Sequence, residues 1–459
     1  MKRIGRYVIE GLLGRGGMGR VYKVRLPVID KIAALKLLDP DPLLAELLKM
    51  AKLRDLFTHE AVTMAGLNHP NIVAVYDFDE HDGKPFFVMD YFPNNLGAMM
   101  GERYTVEKPS RPIGVDKALD YTRQILDGLD CLHDAGILHR DIKPYNVLVT
   151  ARDTLKICDF GLSKIRHETF AGPANLNVGS PYYAAPEQEA DPDHVDARSD
   201  LYSVGVLCYR MLTCRLPYLH DSAAGYRPPS RLNPDLDERW DDFLNRALAR
   251  RPEHRFATAV QMRADLVALQ QHWERQKLKS CAHPGLHPEP PSAPLPTATP
   301  RRQFPLKIET GKAAARFDLD ALWRPNTYVR NDLIRRGDDA VEDRTTGLVW
   351  QKTGCGYPRT WQEAHLYVRR LNESAHGGVQ NWRMPTVDEL VTLLTPTHPG
   401  ADLCVEPIFG KTQRWIWSID RRSFVSAYYV DMELGFVGWQ DFSAPYYVRA
   451  VSSPGSSLN

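Results

Sequence analysis

Asp141, Lys143 and Asn146 stand close together in His139-Arg140-Asp141-Ile142-Lys143-Pro144-Tyr145-Asn146. They are the three polar groups that transfer of a phosphoryl group calls for. An aspartate can accept the proton of an attacking hydroxyl, a lysine can neutralise charge on the moving phosphoryl, and an asparagine can hold a metal ion. A His-Arg-Asp tripeptide alone means little, because it arises by chance. Its weight comes from an ordered series of further motifs on either side.

Upstream, Gly14-Arg15-Gly16-Gly17-Met18-Gly19-Arg20-Val21 lies between two strand-like runs, Tyr7-Val8-Ile9 and Val21-Tyr22-Lys23-Val24. Glycines let a backbone approach phosphates without a Cβ in the way. A dinucleotide-binding unit would continue into a helix. Here the residues after Gly19 alternate like a hairpin strand, which favours a glycine-rich flap over ATP formed by Gly14, Gly16, Gly19 and Val21. Ala33-Ala34-Leu35-Lys36 reads as a buried strand ending in one lysine, spaced to reach the α- and β-phosphates. The bland alternative is a lysine that snorkels to the surface. Such a phosphate-binding lysine needs a carboxylate to hold it. The apolar-rich helical stretch from Leu43 to Leu67 offers Glu60, with Glu46 as the rival. Glu60 lies just before the helix-to-strand transition at Leu67-Asn68-His69-Pro70.

Downstream, the strand Thr154 to Cys158 delivers Asp159-Phe160-Gly161. Asp159 and Asn146 are the candidate ligands of Mg²⁺, which prefers oxygen donors and keeps several waters. Ala185-Pro186-Glu187 closes the loop that follows. Asp200 opens Leu201-Tyr202-Ser203-Val204-Gly205-Val206, an apolar helix that belongs in a core. Arg255 is expected to pair with Glu187, because either charge buried alone is costly.

These motifs resemble the eukaryotic-like (Hanks-type) serine/threonine protein kinases of bacteria, over roughly residues 1–275. The resemblance implies an α+β, two-lobed kinase fold: a small antiparallel sheet with one helix, a mainly helical lobe, and ATP between them. It also implies that Lys36 held by Glu60 positions the phosphates. In the same way it implies that Asp141 is the base and that Lys143, two residues on, marks a Ser/Thr enzyme. Ser180 takes the slot where the family usually has Thr. The activation segment, Leu162 to Ala185, holds Ser163, Thr169 and Ser180 as its only Ser or Thr residues. Arg140 suits a kinase switched by a phosphate on that loop, with Thr169 the first candidate. Tyr218 to Asn233 looks short for the helix that normally follows.

The chain has 459 residues, room for two or three domains. Its 58 Lys and Arg against 57 Asp and Glu argue against electrostatic adhesion to nucleic acid or to anionic membrane. It lacks an apolar run long enough to cross a bilayer and a signal-peptide pattern at Met1, which points to a cytoplasmic protein. Seven scattered cysteines without Cys-x-x-Cys spacing argue for free thiols, although Cys355 and Cys404 are close enough in type and domain to meet. Residues 276–322 read as a Pro-rich linker, a semi-rigid spacer. The exposed-linker reading also covers His283 and His287.

From Trp323 the composition shifts to aromatics and turn residues, marking a second domain over 323–453. Thr360 is a plausible cap for a helix to Asn372, a short helix spans Val387 to Leu394, and the remainder alternates like strands at Trp415–Ser418, Phe424–Met432, Gly435–Phe442 and Tyr446–Val451. Thr346-Gly347-Leu348-Val349-Trp350, Thr360-Trp361-Gln362-Glu363-Ala364, Asn381-Trp382-Arg383-Met384-Pro385 and Tyr446-Tyr447-Val448-Arg449-Ala450-Val451 resemble the C-terminal domain family of bacterial collagen-like adhesins. That resemblance implies a smaller α+β, C-type-lectin-like fold that binds rather than catalyses, with Trp350, Trp361 and Trp382 as core anchors. Tyr428, Tyr429, Asp431, Trp439, Asp441, Ser443 and Tyr446 form the candidate recognition surface, since rigid aromatics beside polar groups suit one and alternation places about half of them outward.

The reading that follows is an ATP- and Mg²⁺-dependent serine/threonine protein kinase, acting on protein substrates and on itself. Its C-terminal recognition domain takes an unknown ligand or target. The alternative is a kinase-fold scaffold without turnover, which the complete motif set disfavours. A small-molecule kinase is disfavoured by Ala185-Pro186-Glu187.

Overall fold

The computed structural model describes residues 2–102, 108–159, 181–191, 194–218, 226–281, 301–396, 403–410 and 413–453. The chain divides into two compact units, Met1–Cys281 and Ala282–Asn459.

The first unit begins with a six-stranded antiparallel sheet: β1 (Arg3–Ile4), β2 (Tyr7–Gly16), β3 (Gly19–Arg25), β4 (Ile32–Leu38), β5 (Val75–His81) and β6 (Lys84–Met89), in the order β1-β2-β3-β4-β6-β5. Its apolar side buries Ile4, Tyr7, Val24, Ala33, Leu35, Phe86 and Val88 together. The glycine-rich run is the β2–β3 hairpin, with Gly16 opposite Gly19. The expected helical stretch from Leu43 to Leu67 is two helices, α1 (Pro42–Leu48) and α2 (Met50–Gly66). They part at Lys49, whose φ of 61° no helix accommodates. On α2 the buried residues Leu53, Phe57, Glu60, Ala61 and Met64 recur at helical spacing, so Glu60 rides on the apolar face.

Below the sheet lie α3 (Leu96–Met100) and α4 (Val115–Asp134), and a small sheet of β7 (Asn94–Asn95), β8 (Val147–Val149) and β9 (Leu155–Ile157). The helices Ala197–Thr213, Glu238–Ala247 and Ala259–Cys281 complete this part. In Ala197–Thr213 every residue from Ser199 on is buried, as its apolar run requires. Asp196 caps it by accepting from the Arg198 N–H.

The second unit holds a four-stranded sheet, β10 (Leu333–Arg336), β11 (Ala340–Asp343), β12 (Leu348–Gln351) and β16 (Val451–Ser452), and a three-stranded one, β13 (Trp415–Arg421), β14 (Ser426–Asp431) and β15 (Phe436–Asp441). Thr360 does cap the helix Trp361–Glu373, in a reciprocal box with Glu363. The predicted strand Tyr446–Val451 is regular only at its end. Tyr446 bridges to Arg359 and Tyr447 to Ile416, so this segment changes partners along its length.

The expected linker 276–322 is corrected at both ends. Residues 276–281 finish the helix Ala259–Cys281. Residues 301–322 fold into the second unit, where the helix Thr310–Arg316 carries Ala313 into one core with Phe317, Leu319, Trp350, Tyr428 and Val430. Arg302 is tied by its guanidinium to Asp388 and Asp420. The i, i+4 apolar pair Ala313 and Phe317 was the overlooked signal. Residues 282–300 lie outside the described residues. The cysteines described are free. Cys355 and Cys404 do not meet: the Val448 N–H donates to the Cys355 sulfur at 3.0 Å, and Cys404 donates to the Glu433 carbonyl at 3.0 Å.

Candidate functional site

Lys36 leaves β4 opposite Val21 of β3 and Phe87 of β6. Its ammonium donates to Glu60 Oε1 at 2.8 Å and to Asp159 Oδ1 at 3.0 Å. Three parts of the chain, one strand, the α2 helix and the segment after β9, thus converge on one cation. Burial works against the charged lysine, but the adjacent Asp159 and Glu60 outweigh it and hold Lys36 above the ordinary lysine range. The Lys36 charge pulls Asp159 below the usual carboxylate range, against the effect of burial. Glu60 is fully buried, and that burial raises its carboxyl despite Lys36. Of the three groups, Asp159 keeps the most exposed side chain.

Asp141 is the second focus. Lys143 Nζ lies 2.9 Å from Asp141 Oδ2, and Asn146 Nδ2 donates to the same oxygen at 2.9 Å and to the Asp141 carbonyl at 2.8 Å. With its amide nitrogen committed, Asn146 has its side-chain oxygen left for a cation. Its main-chain carbonyl accepts the Cys158 N–H at 3.0 Å, which sets Asn146 beside the residue preceding Asp159. Two hard oxygen donors so placed fit Mg²⁺.

The loop bearing Asp141 is held from beneath. Asp200, fully buried, accepts the main-chain N–H of His139 at 2.9 Å and of Arg140 at 2.6 Å. Arg140 has a φ of 60°, a left-handed conformation that a non-glycine residue keeps only when its surroundings impose it. Burial alone would raise the Asp200 carboxyl, but hydrogen bonding from His133 and the histidine charges lower it. His139 accepts the Asp141 N–H on Nδ1 and so offers Nε2–H to the Cys158 carbonyl, 3.1 Å away. Burial depresses its pKa, against the neighbouring Asp200 and Asp141 charges.

Lys36, Glu60 and Asp159 are therefore brought together at one focus and Asp141, Lys143 and Asn146 at the other, while the glycines divide into two kinds. An added Cβ at Gly14 or Gly16 would meet nothing within 4 Å, among the described residues. At Gly19 it would overlap the Leu37 carbonyl oxygen. Gly19 is required by strand packing, while Gly14 and Gly16 leave open space of the kind a phosphate needs.

The predicted partnership of Glu187 and Arg255 is present and bidentate, at 2.6 and 2.8 Å. Two further residues were missed. Gln188 accepts the Ala185 N–H and donates to the Arg140 carbonyl, joining the Ala185-Pro186-Glu187 turn to the Asp141 loop. Glu102, almost wholly buried, accepts the Tyr183 hydroxyl at 3.1 Å and faces Arg210 at 3.9 Å. Burial raises its carboxyl. Nothing local in the sequence marks Glu102, since its partners are 81 and 108 residues away. Phe160, Gly161, Ser163, Thr169 and Ser180 lie outside the described residues.

The candidate recognition surface of the second unit is largely corrected. Tyr428, Tyr429, Asp431 and Tyr446 are buried, and Asp441 and Ser443 are half-buried. Of the seven residues, only Trp439 is exposed. Alternation failed because β14 is covered on both faces, from Ser426 to Asp431 without interruption. Trp350 and Trp382 are buried anchors as expected, and Trp361 is half-buried, stacked on Phe442 at 4.4 Å. Among the described residues there is no cluster of three or more His, Cys, Asp or Glu able to hold a metal. No described helix is long and apolar enough to cross a membrane.

The protein kinase domain family model matches residues 7–267, and the Lcl C-terminal domain model matches residues 339–452. The serine/threonine-protein kinase pkn3 of Myxococcus xanthus is 34% identical over 311 residues, covering 63% of this chain and 54% of that protein. The serine/threonine-protein kinase PknB of Mycobacterium tuberculosis is 32% identical over 359 residues, covering 75% and 51%. The chain spans about half the length of the curated relatives it matches. A crystal structure of the Mycobacterium tuberculosis PknI kinase domain aligns with a TM-score of 0.43 and 29% identity, covering 58% of this chain and 97% of that one.

Proposed function

Starting from the fact that the chain belongs to the protein kinase family, we propose that it transfers the γ-phosphoryl of ATP to serine or threonine hydroxyls of proteins, itself included, in the cytoplasm. The observation that carries this is the convergence of Lys143 and Asn146 on Asp141, beside Lys36 joined to both Glu60 and Asp159.

Each residue has a role its surroundings support. Lys36, held by Glu60, binds and orients the ATP phosphates beneath the hairpin of Gly14, Gly16 and Val21. Asp141 orients the substrate hydroxyl and takes its proton at a carboxylate oxygen. Lys143 stays beside that oxygen and neutralises charge that builds on the transferring group. Asn146 and Asp159 are the residues to hold Mg²⁺, which when bound supplies charge neutralisation on the phosphate oxygens. The catalytic effect comes from positioning and electrostatics, since every group is already held in place by a named partner. Thr169 is the proposed regulatory phosphosite on the activation segment.

For the second unit, residues 301–453, we propose a C-type-lectin-like recognition domain that brings targets to the kinase. The Lcl C-terminal domain match supports it. A tethered recognition domain raises the local concentration of a target with no contact between the units.

The test is transfer of radiolabelled phosphate by the full chain beside its Asp141→Asn variant. Label on serine or threonine in the wild type, reduced at least about a thousandfold in the variant, is the expected result. Full activity in the variant refutes the role of Asp141. No transfer by the wild type to itself or to casein favours a scaffold without turnover.

A further inference from the structure

The turn between β13 and β14 ends in two apolar residues, Phe424 and Val425, which are 76% and 65% exposed. Hairpin turns ordinarily carry Gly, Asn, Asp or Ser at such places. Single exposed apolar residues need no explanation, but these two do not stand alone. Trp439 is opposite Tyr428 in the β14–β15 ladder and shares its face of the sheet. Tyr428 is sealed there, its hydroxyl donating to the Ile308 carbonyl at 2.7 Å. Trp439, one strand further out on the sheet edge, remains 38% exposed.

Two cations lie on these rings. Lys307 Nζ is 3.3 Å from the centre of the Phe424 ring, and the Arg422 guanidinium is 3.7 Å from that of Trp439. The segment bearing Lys307 runs beside β13, with the Ile308 N–H donating to the Arg421 carbonyl. Arg422 also donates to the Thr310 hydroxyl at 2.6 Å. Both cation–aromatic pairs therefore lie where the 307–310 segment meets the β13–β14 turn and the face of Tyr428. Among the described residues, no ion pair involves Lys307 or Arg422, whereas Arg302, Arg383 and Arg414 of the same unit are each paired with a carboxylate. Cations spread over aromatic faces and left without counter-charge are complementary to a chain that supplies both carboxylates and an apolar side chain.

We propose that Lys307, Arg422, Phe424, Val425 and Trp439 form a docking face for an acidic segment of a partner protein, one with an aromatic or aliphatic anchor among its carboxylates. This rests on the reading of the second unit as a recognition domain, and names the class of segment it takes. Trp and Arg, here Trp439 and Arg422, are residue types enriched among those that carry most of the binding energy in protein contacts.

The experiment uses the full chain without ATP and three labelled polymers: a random Glu/Tyr copolymer, polyglutamate, and heparin. The expected result is binding of the Glu/Tyr copolymer at least about tenfold tighter than polyglutamate, weakening with salt. Phe424→Ser or Trp439→Ser should each reduce it at least about tenfold, and Lys307→Glu with Arg422→Glu should abolish it. Phe424 is so exposed that Phe424→Ser keeps the test open even if Trp439→Ser folds poorly, as thermal melting will show. Absence of copolymer binding, or binding indifferent to Phe424→Ser and to the double charge reversal, overturns the proposal. Heparin binding that survives Phe424→Ser while the copolymer does not bind also overturns it, but leaves a recognition domain for polyanions. If none of the three polymers binds, and the charge reversal leaves phosphorylation of lysate proteins unchanged, both the proposal and the recognition reading fall. Phosphate transfer to casein, measured separately, is independent of either outcome.

Discussion

Removing Glu187 tests how the structure carries a buried charge. The Arg255 side chain is wholly buried, and all five of its N–H groups are used. Nε donates to the Ala249 carbonyl at 2.7 Å. Nη1 donates to Glu187 Oε1 at 2.6 Å and to the Arg198 carbonyl at 3.2 Å. Nη2 donates to Glu187 Oε2 at 2.8 Å and to the Arg250 carbonyl at 3.1 Å. Glu187→Ala deletes two of the five acceptors and the bidentate counter-charge together, leaving a guanidinium that cannot deprotonate. Breaking a buried pair from one side in this way costs about 3–5 kcal/mol. In a unit of this size that lowers the midpoint by roughly 6–10 °C. Glu187→Gln keeps one acceptor and the volume, so it should cost less, about 2 kcal/mol. Calorimetry on the full chain should show one transition displaced and the other in place, since Glu187 and Arg255 belong to the first unit. Acid gives an independent check. Burial alone would raise the Glu187 carboxyl, but hydrogen bonds from Arg255 and Ser199 lower it. A lowered folded-state pKa contributes stability above the unfolded value of about 4.3, which is lost as pH falls through the folded one. Wild-type stability should therefore fall more steeply below about pH 4.3 than that of Glu187→Gln. A Glu187→Ala protein within about 1 kcal/mol of wild type, with an unchanged acid limb, would show that the pair is ornamental and would refute this reasoning.

Three further outcomes follow from geometry. Gly19→Ala should destabilise the first unit by about 1–3 kcal/mol through overlap with Leu37, whereas Gly16→Ala should leave the melting curve within about 0.5 kcal/mol and raise KM for ATP; equal melting shifts would contradict the division of roles. Glu60→Gln should lower kcat/KM about a hundredfold by releasing Lys36, with unfolding measured alongside to separate positioning from stability. Tyr183→Phe removes the hydroxyl given to the buried Glu102 and should cost about 1–3 kcal/mol in urea unfolding; a neutral result would mean that Arg210 alone satisfies Glu102.

The kinase-like site was legible because its chemistry is local. Asp141, Lys143 and Asn146 sit on one tight loop, and the strands that carry Lys36 and lead into Asp159 are short apolar runs that can go only one way. Glu60 was legible too, by its place just before the helix-to-strand transition at Leu67-Asn68-His69-Pro70, and it lies on the buried face of α2, where an unpaired charge would be costly. What stayed hidden depends on distant partners. Asp200 was marked as the start of a core helix, but its support of the strained Arg140 backbone, 60 residues earlier, has no sequence signature. Glu102 and Gln188 are likewise ordinary polar residues until the chain brings Tyr183 and Arg140 to them.

The second unit reverses that relation between pattern and place. Its aromatic strands read as alternating, half-exposed surface, because period-two placement assumes one wet face. The chain instead lays residues 306–310 against one side of β14 and Tyr446 and Tyr447 against the other strands, so Tyr428, Tyr429 and Tyr446 become core. The segment that does the covering falls within the 276–322 stretch that reads as a linker, and both departures from the sequence pattern have one cause. Once residues 301–322 are counted as part of the unit, the tyrosines must be inside and Lys307 must come up beside Phe424. The exposed binding chemistry then moves from the strand centres to the β13–β14 turn and the sheet edge, where Trp439 is the exposed member of the predicted set.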